Sequence, residues 1–135
     1  MCFSRQPRWV TRNFQIVTSE SAETDNVLGV GVDHESGFGG LVWYCMDDVA
    51  ERVAESQGEE VADYVWVSRN LSPPAVDPEV VYDRGGPTCF NRISAIPVED
   101  VRSSVLEYYR EGTGFRPTCV EWIKGNFTGE LYEEE

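Results

Sequence analysis

Hydrophobic positions in this chain follow two spacings, and the clearer one lies near the C-terminal end. Val98, Val101, Val105 and Tyr108 recur at steps of three and four residues, which places them on one helical face, with Leu106 and Tyr109 widening the stripe. Pro97 supplies a preset backbone angle at the start, and Glu99 and Asp100 sit where the positive end of the helix dipole favours carboxylates. Gly112 and Gly114 can adopt the left-handed conformation that ends a helix, and Arg116-Pro117 forces an extended path. From Thr118 to Ile123 the residues are β-branched, aromatic or alternating, which predicts a strand packed beneath that helix.

Upstream, the spacing changes to that of strands. Trp9 to Thr18 alternates in part and predicts a first strand, followed by a polar loop from Ser19 to Asn26. Val27 to Asp33 is apolar and β-branched, with Gly29 and Gly31 on one face, so something packs close against that bare face. His34 to Gly37 is a tight connection, and Phe38 to Cys45 returns as the second arm of a hairpin. Asp47 to about Ser56 reads as a short helix that Gln57 to Glu60 breaks. Val61 to Ser68 reads as a central strand and Val80 to Asp83 as a short edge strand. The proline-rich segment from Leu71 to Pro78 and the segment from Arg84 to Arg92 are connections. The sum is an α+β architecture: a mostly antiparallel sheet of four to six strands with one main helix and a shorter helix packed on it.

Length fits one domain of 135 residues, with residues 1–8 and 130–135 expected to be flexible. Charge narrows the function more than length does. Twenty-four acidic residues against 11 basic ones give a net charge of −13, which repels nucleic acid and anionic membranes and complements a basic partner. The same acidity also serves plain solubility. No stretch approaches the roughly 18 apolar residues of a membrane span, and the start carries no apolar signal run, which predicts a cytoplasmic protein. Cysteines at 2, 45, 89 and 119 lack any C-x-x-C spacing, and in a reducing compartment they are expected to be free thiols.

Candidate chemistry is sparse. One histidine, His34, cannot assemble a zinc deaminase, hydrolase or protease site, which needs His and Cys at ligand spacing. Gly29-Val30-Gly31 lacks the third glycine and the following helix of a dinucleotide loop, and Gly37-Phe38-Gly39-Gly40 lacks the Lys and Ser/Thr of a phosphate loop. Asp47-Asp48 is better explained as a helix start than as a metal site. No catalytic residue, metal ligand or cofactor is predicted, and a compact acidic domain without a catalytic constellation reads as a binding protein rather than an enzyme.

From about Tyr82 onward the chain resembles the Imm1 family of immunity proteins. The resemblance rests on a C-terminal run matched by Pro97, Glu99, Val101, Arg102, Val105, Glu107, Thr113, Gly114, Arg116, Pro117, Thr118, Val120 and Trp122. Ser104 stands where Ala is usual, and Gly112 is an extra residue before Thr113-Gly114. The resemblance implies a protein that binds a cognate toxin 1:1 and neutralises it, the toxin being of polymorphic type and notably a nucleic-acid deaminase. An acidic nucleic-acid mimic that blocks a DNA-binding protein is the alternative. The helix and final strand read as scaffold, with Trp122 a core anchor, so contacts are expected on loops and acidic edges. The candidates are Asp33, Glu35 and Phe38 at the hairpin turn, Asp47, Asp48 and Glu51 on the short helix, and Tyr82 with Asp83. For each carboxylate a solvated surface charge is the competing reading.

Overall fold

In a computed structural model, residues 14–18, 26–83 and 87–132 are described. In chain order the elements are β1 (Phe14–Thr18), β2 (Asn26–Asp33), β3 (Phe38–Cys45), α1 (Asp47–Gln57), α2 (Glu59–Asp63), β4 (Val65–Arg69), β5 (Val81–Asp83), β6 (Pro87–Cys89), a 3-10 turn (Arg92–Ser94), β7 (Ile96–Pro97), α3 (Val98–Glu111) and β8 (Glu121–Gly125). The main antiparallel sheet runs β1-β2-β3-β4-β8, with β7 paired to the start of β3. β5 and β6 form a separate two-stranded ribbon. The expected α+β class, sheet and main helix are all present, and α2 is an additional short helix.

Strand β3 explains the two-layered burial. Successive side chains of a strand point to opposite faces. Leu41, Trp43 and Cys45 enter one core with Leu28, Val30 and Trp66, capped by Val49 and Val53 of α1, Val61 of α2, and Val101 and Tyr108 of α3. Val42 and Tyr44 enter a second core with Val27 and Val67, covered by Val80, Tyr82, Phe90 and Ala95. The helices lie over one face and the ribbon over the other, which is why the segment is apolar at consecutive positions.

The bare glycine face is filled as its sequence requires. A Cβ on Gly29 would collide with the Tyr82 ring, and one on Gly31 would come within 2.7 Å of the Val81 carbonyl oxygen. The ribbon therefore sits directly on the sheet backbone.

Four expectations about the secondary-structure elements are corrected. On α3 the buried positions are Val101, Ser104 and Tyr108, while Leu106 is exposed and Tyr109 is 77% exposed. The apolar stripe is narrower than its sequence because α3 packs on β2, β3 and β7 and leaves one flank open. Second, the last strand is β8, Glu121–Gly125, paired with β4 at the far edge of the sheet rather than beneath α3. Third, Val61 to Asp63 is helical, and the interior strand starts at Val65. Fourth, Val81–Asp83 pairs with Pro87–Cys89, a strand inside the segment expected to be only a connection, and lies over the sheet instead of edging it.

Helix α3 ends as predicted, at Gly112 with φ of 67° and its N–H donating to the Tyr108 carbonyl. Cys45 and Cys119 are free thiols, whereas Cys89 is disulfide-bonded, a correction that spacing along the chain could not supply. The expected N-terminal arm, Trp9 to Asn13 of the first strand, most of the loop after it and the Glu133 to Glu135 tail lie outside the described residues. Among the described residues no helix is long and apolar enough to cross a membrane.

Candidate functional site

The hairpin turn is built by one of its own candidates. Asp33 is 3% exposed, and its Oδ1 accepts the Glu35 N–H at 3.2 Å while its carbonyl accepts the Gly37 N–H at 2.9 Å. Its carboxylate is directed into the turn, Glu35 is exposed, and Phe38 is half-buried beside the ribbon-side core. Tyr82 is fully buried and offers no surface; Asp83 closes β5. Asp47 and Asp48 open α1, and Glu51 is exposed one turn later.

These candidates do not form one site. The register pairs Asp33 with Phe38 at one end of the β2–β3 hairpin and Asn26 with Cys45 at the other. Eight residues at about 3.3 Å each separate the turn from α1 by roughly 25 Å.

The surface that does concentrate charge is α1–α2. Val49, Val53 and Val61 are buried, while Glu51, Glu55, Glu59, Glu60 and Asp63 are exposed. From Asp47 to Asp63 seven carboxylates accompany one basic residue, Arg52, so 1 − 7 gives a local charge of −6 within the chain's −13. Helix electrostatics explain part of this. Asp47 and Asp48, like Glu59 and Glu60, sit in first turns, where the dipole favours them. Glu51 and Glu55 have no such reason: like charges four residues apart oppose helix formation by a few tenths of a kcal/mol, and the last turn of α1 has no basic residue.

The run that carries the family resemblance holds this face in place. Gln57, the last residue of α1, donates from Nε2 to the Arg116 carbonyl at 2.9 Å and accepts the Arg116 N–H at Oε1 at 3.1 Å. The Arg116 guanidinium lies 4.7 Å from the centroid of Trp66 and 5.8 Å from that of Trp122, a cation over two indoles. Burial pulls its pKa below the usual arginine value, with Glu121 opposing. The Trp66 indole N–H donates to the Val61 carbonyl of α2 at 3.0 Å, and that of Trp122 to the Pro117 carbonyl at 2.8 Å.

Residues 113–119 are tied to the rest of the fold at further points. The Trp43 indole N–H donates to the Gly114 carbonyl at 3.0 Å. Glu107 on α3 accepts the Thr118 N–H and hydroxyl at 2.9 Å and the Cys119 N–H at 3.2 Å. Burial pushes the Glu107 pKa up, but these bonds outweigh it and hold the carboxyl below its usual value of 4.5. Glu107, Gly114, Arg116, Pro117, Thr118 and Trp122 thus act as a brace between α1, α3 and the sheet.

Glu55, Glu59, Glu60 and Asp63 are absent from the sequence candidates because a break at Gln57 to Glu60 divides them. The signal is nonetheless there: Gly58 followed by Glu59-Glu60 and an apolar residue is a helix stop and a new start. Gly58 takes φ of 114°, and its N–H donates to the Val53 and Ala54 carbonyls at 3.1 and 3.2 Å, so α1 closes there and α2 starts at the next residue. Among the described residues no group of three or more His, Cys, Asp or Glu is placed to hold a metal ion.

The family model described as immunity protein Imm1 matches residues 4–124. No curated protein and no solved structure gives a match. The match spans both the acidic helices and the brace behind them, and on its extent the chain belongs to the Imm1 family of immunity proteins.

Proposed function

We propose that this immunity protein neutralises its cognate toxin, a nucleic-acid deaminase, by laying the acidic α1–α2 face over the toxin's basic cleft. One observation carries the reading: Glu51, Glu55, Glu59, Glu60 and Asp63 are exposed together on two helices that a network of named bonds fixes to the sheet. A deaminase binds its substrate backbone through Lys and Arg. Carboxylates held at fixed spacing occupy those cations, so the nucleic acid and the immunity protein compete for one cleft. Complementary charge also speeds encounter and excludes partners of the wrong sign. The role is stoichiometric binding, one immunity protein to one toxin, with no turnover of its own.

Co-expression with the toxin encoded by the neighbouring gene tests the proposal. The wild type is expected to protect cells and to form a 1:1 complex with the toxin domain. The triple variant Glu51→Lys, Glu55→Lys, Glu59→Lys, folded by circular dichroism, is expected to lose protection. Full protection by that variant contradicts the acidic-face mechanism, and binding to several unrelated DNA-binding proteins favours a nucleic-acid mimic.

A further inference from the structure

At its α2 end the acidic surface already holds a cation. Lys124 Nζ lies 2.8 Å from Glu60 Oε2 and 3.9 Å from the centroid of the Tyr64 ring, so one ammonium is held by a carboxylate and an aromatic face together. Tyr132 stands edge-on to Tyr64 with centroids 6.0 Å apart, and it is 53% exposed. The Glu60 side chain keeps 65% of its surface open against 33% for Lys124, so the carboxylate faces solvent while the ammonium fills the inner side. The hydrogen bond between them lowers the Glu60 pKa and raises that of Lys124, as pairing of a carboxylate with an ammonium does. Ion pairs this exposed contribute little net stability and exchange readily. A guanidinium suits the same niche better than an ammonium, because its plane stacks on a ring while its edge bonds a carboxylate through two N–H groups.

We propose that Glu60 and Tyr64 form a cation socket that Lys124 fills in the free protein and that an arginine side chain of the toxin takes over in the complex. Lys124 then swings to solvent, and Tyr132 forms the rim. This rests on the reading that the α1–α2 face meets a basic cleft: the acidic face attracts the toxin, and the socket fixes its register. An aromatic ring beside a carboxylate is the composition of a binding anchor, which a scatter of surface carboxylates is not.

Acetyl-arginine amide tests the socket without the toxin. Titrated into the Lys124→Met variant, it is expected to shift the Tyr64 and Tyr132 ring resonances saturably, with affinity about threefold or more above wild type. Adding Glu60→Gln is expected to abolish the shifts. No saturable shift in Lys124→Met, the same shifts with acetyl-glycine amide, or shifts unchanged by Glu60→Gln would each overturn it.

With the neighbouring gene's toxin domain, Lys124→Met is expected to bind about threefold tighter and Tyr132→Ala about tenfold weaker than wild type. Unchanged affinity in both variants, alongside loss of binding on charge reversal at Glu51 and Glu55, overturns the socket and leaves the acidic-face reading standing. Failure of the wild type to bind the toxin overturns the acidic-face reading, and the acetyl-arginine amide titration still decides the socket.

Discussion

The Tyr82 ring occupies the space in which any residue other than glycine at position 29 would place its Cβ. Sheet and ribbon meet there with no side chain from the sheet between them. Gly29→Ala is therefore expected to lower stability by about 1–3 kcal/mol through overpacking, read from urea midpoints. Because the clash is with Tyr82, the double variant Gly29→Ala, Tyr82→Leu is expected to lose less than the sum of the two single changes. Strict additivity would show that the ribbon does not press on the sheet at this point.

Gln57 and Arg116 are 59 positions apart and share two hydrogen bonds. Gln57→Ala leaves an N–H and a carbonyl of Arg116 without those partners and is expected to cost about 1–3 kcal/mol. Gln57→Glu keeps the acceptor but sets a charged oxygen against the Arg116 carbonyl, so it is expected to destabilise as well. Equal urea midpoints for Gln57→Ala and wild type would remove the clamp from the account.

Glu107 predicts a specific acid sensitivity. Its folded pKa lies below the usual 4.5, so the stability it contributes is fully present above that value and is lost as pH falls through the folded pKa. Solvent screening keeps the contribution modest. Urea midpoints taken between about pH 7 and about pH 3 are expected to fall less steeply at the acid end for Glu107→Gln than for wild type. Parallel curves would mean that the carboxylate charge does not hold the 118–119 backbone.

The free thiols separate by exposure. Burial, then the nearby Asp63, pushes the Cys45 pKa up to about 11, and its side chain is enclosed in the helix-side core. The Cys119 pKa is also raised, chiefly by burial, but the residue is exposed. Iodoacetamide on the native protein, followed by mass spectrometry, is expected to label Cys119 first and Cys45 only on unfolding. Early labelling of Cys45 would indicate that α1 and α2 open readily from the sheet.

Sequence patterning reaches the sheet, the main helix and the glycine face because each is a local signal: alternation, a three-to-four spacing, and two missing side chains at i and i+2. It fails where a distant partner decides. Thr118 and Val120 have strand character, yet Glu107 captures the Thr118 and Cys119 backbone and delays the strand to Glu121. Tyr82 looks like an exposed edge residue until the ribbon folds over Gly29. The exposed carboxylates of α1 and α2 are divided in sequence by Gly58, which closes one helix and is followed at once by the next.

Salt dependence of toxin binding tests the central claim, that the α1–α2 face meets a basic cleft. In stopped-flow association with the neighbouring gene's toxin domain, the wild-type on-rate is expected to fall about tenfold or more from roughly 0.05 to 0.5 M salt, while dissociation changes little. Glu51→Gln, Glu55→Gln, Glu59→Gln is expected to associate more slowly with a flatter salt dependence, and Glu99→Gln, Asp100→Gln on α3 is expected to match wild type. A wild-type on-rate independent of salt, or a triple variant that keeps the wild-type slope, contradicts the account.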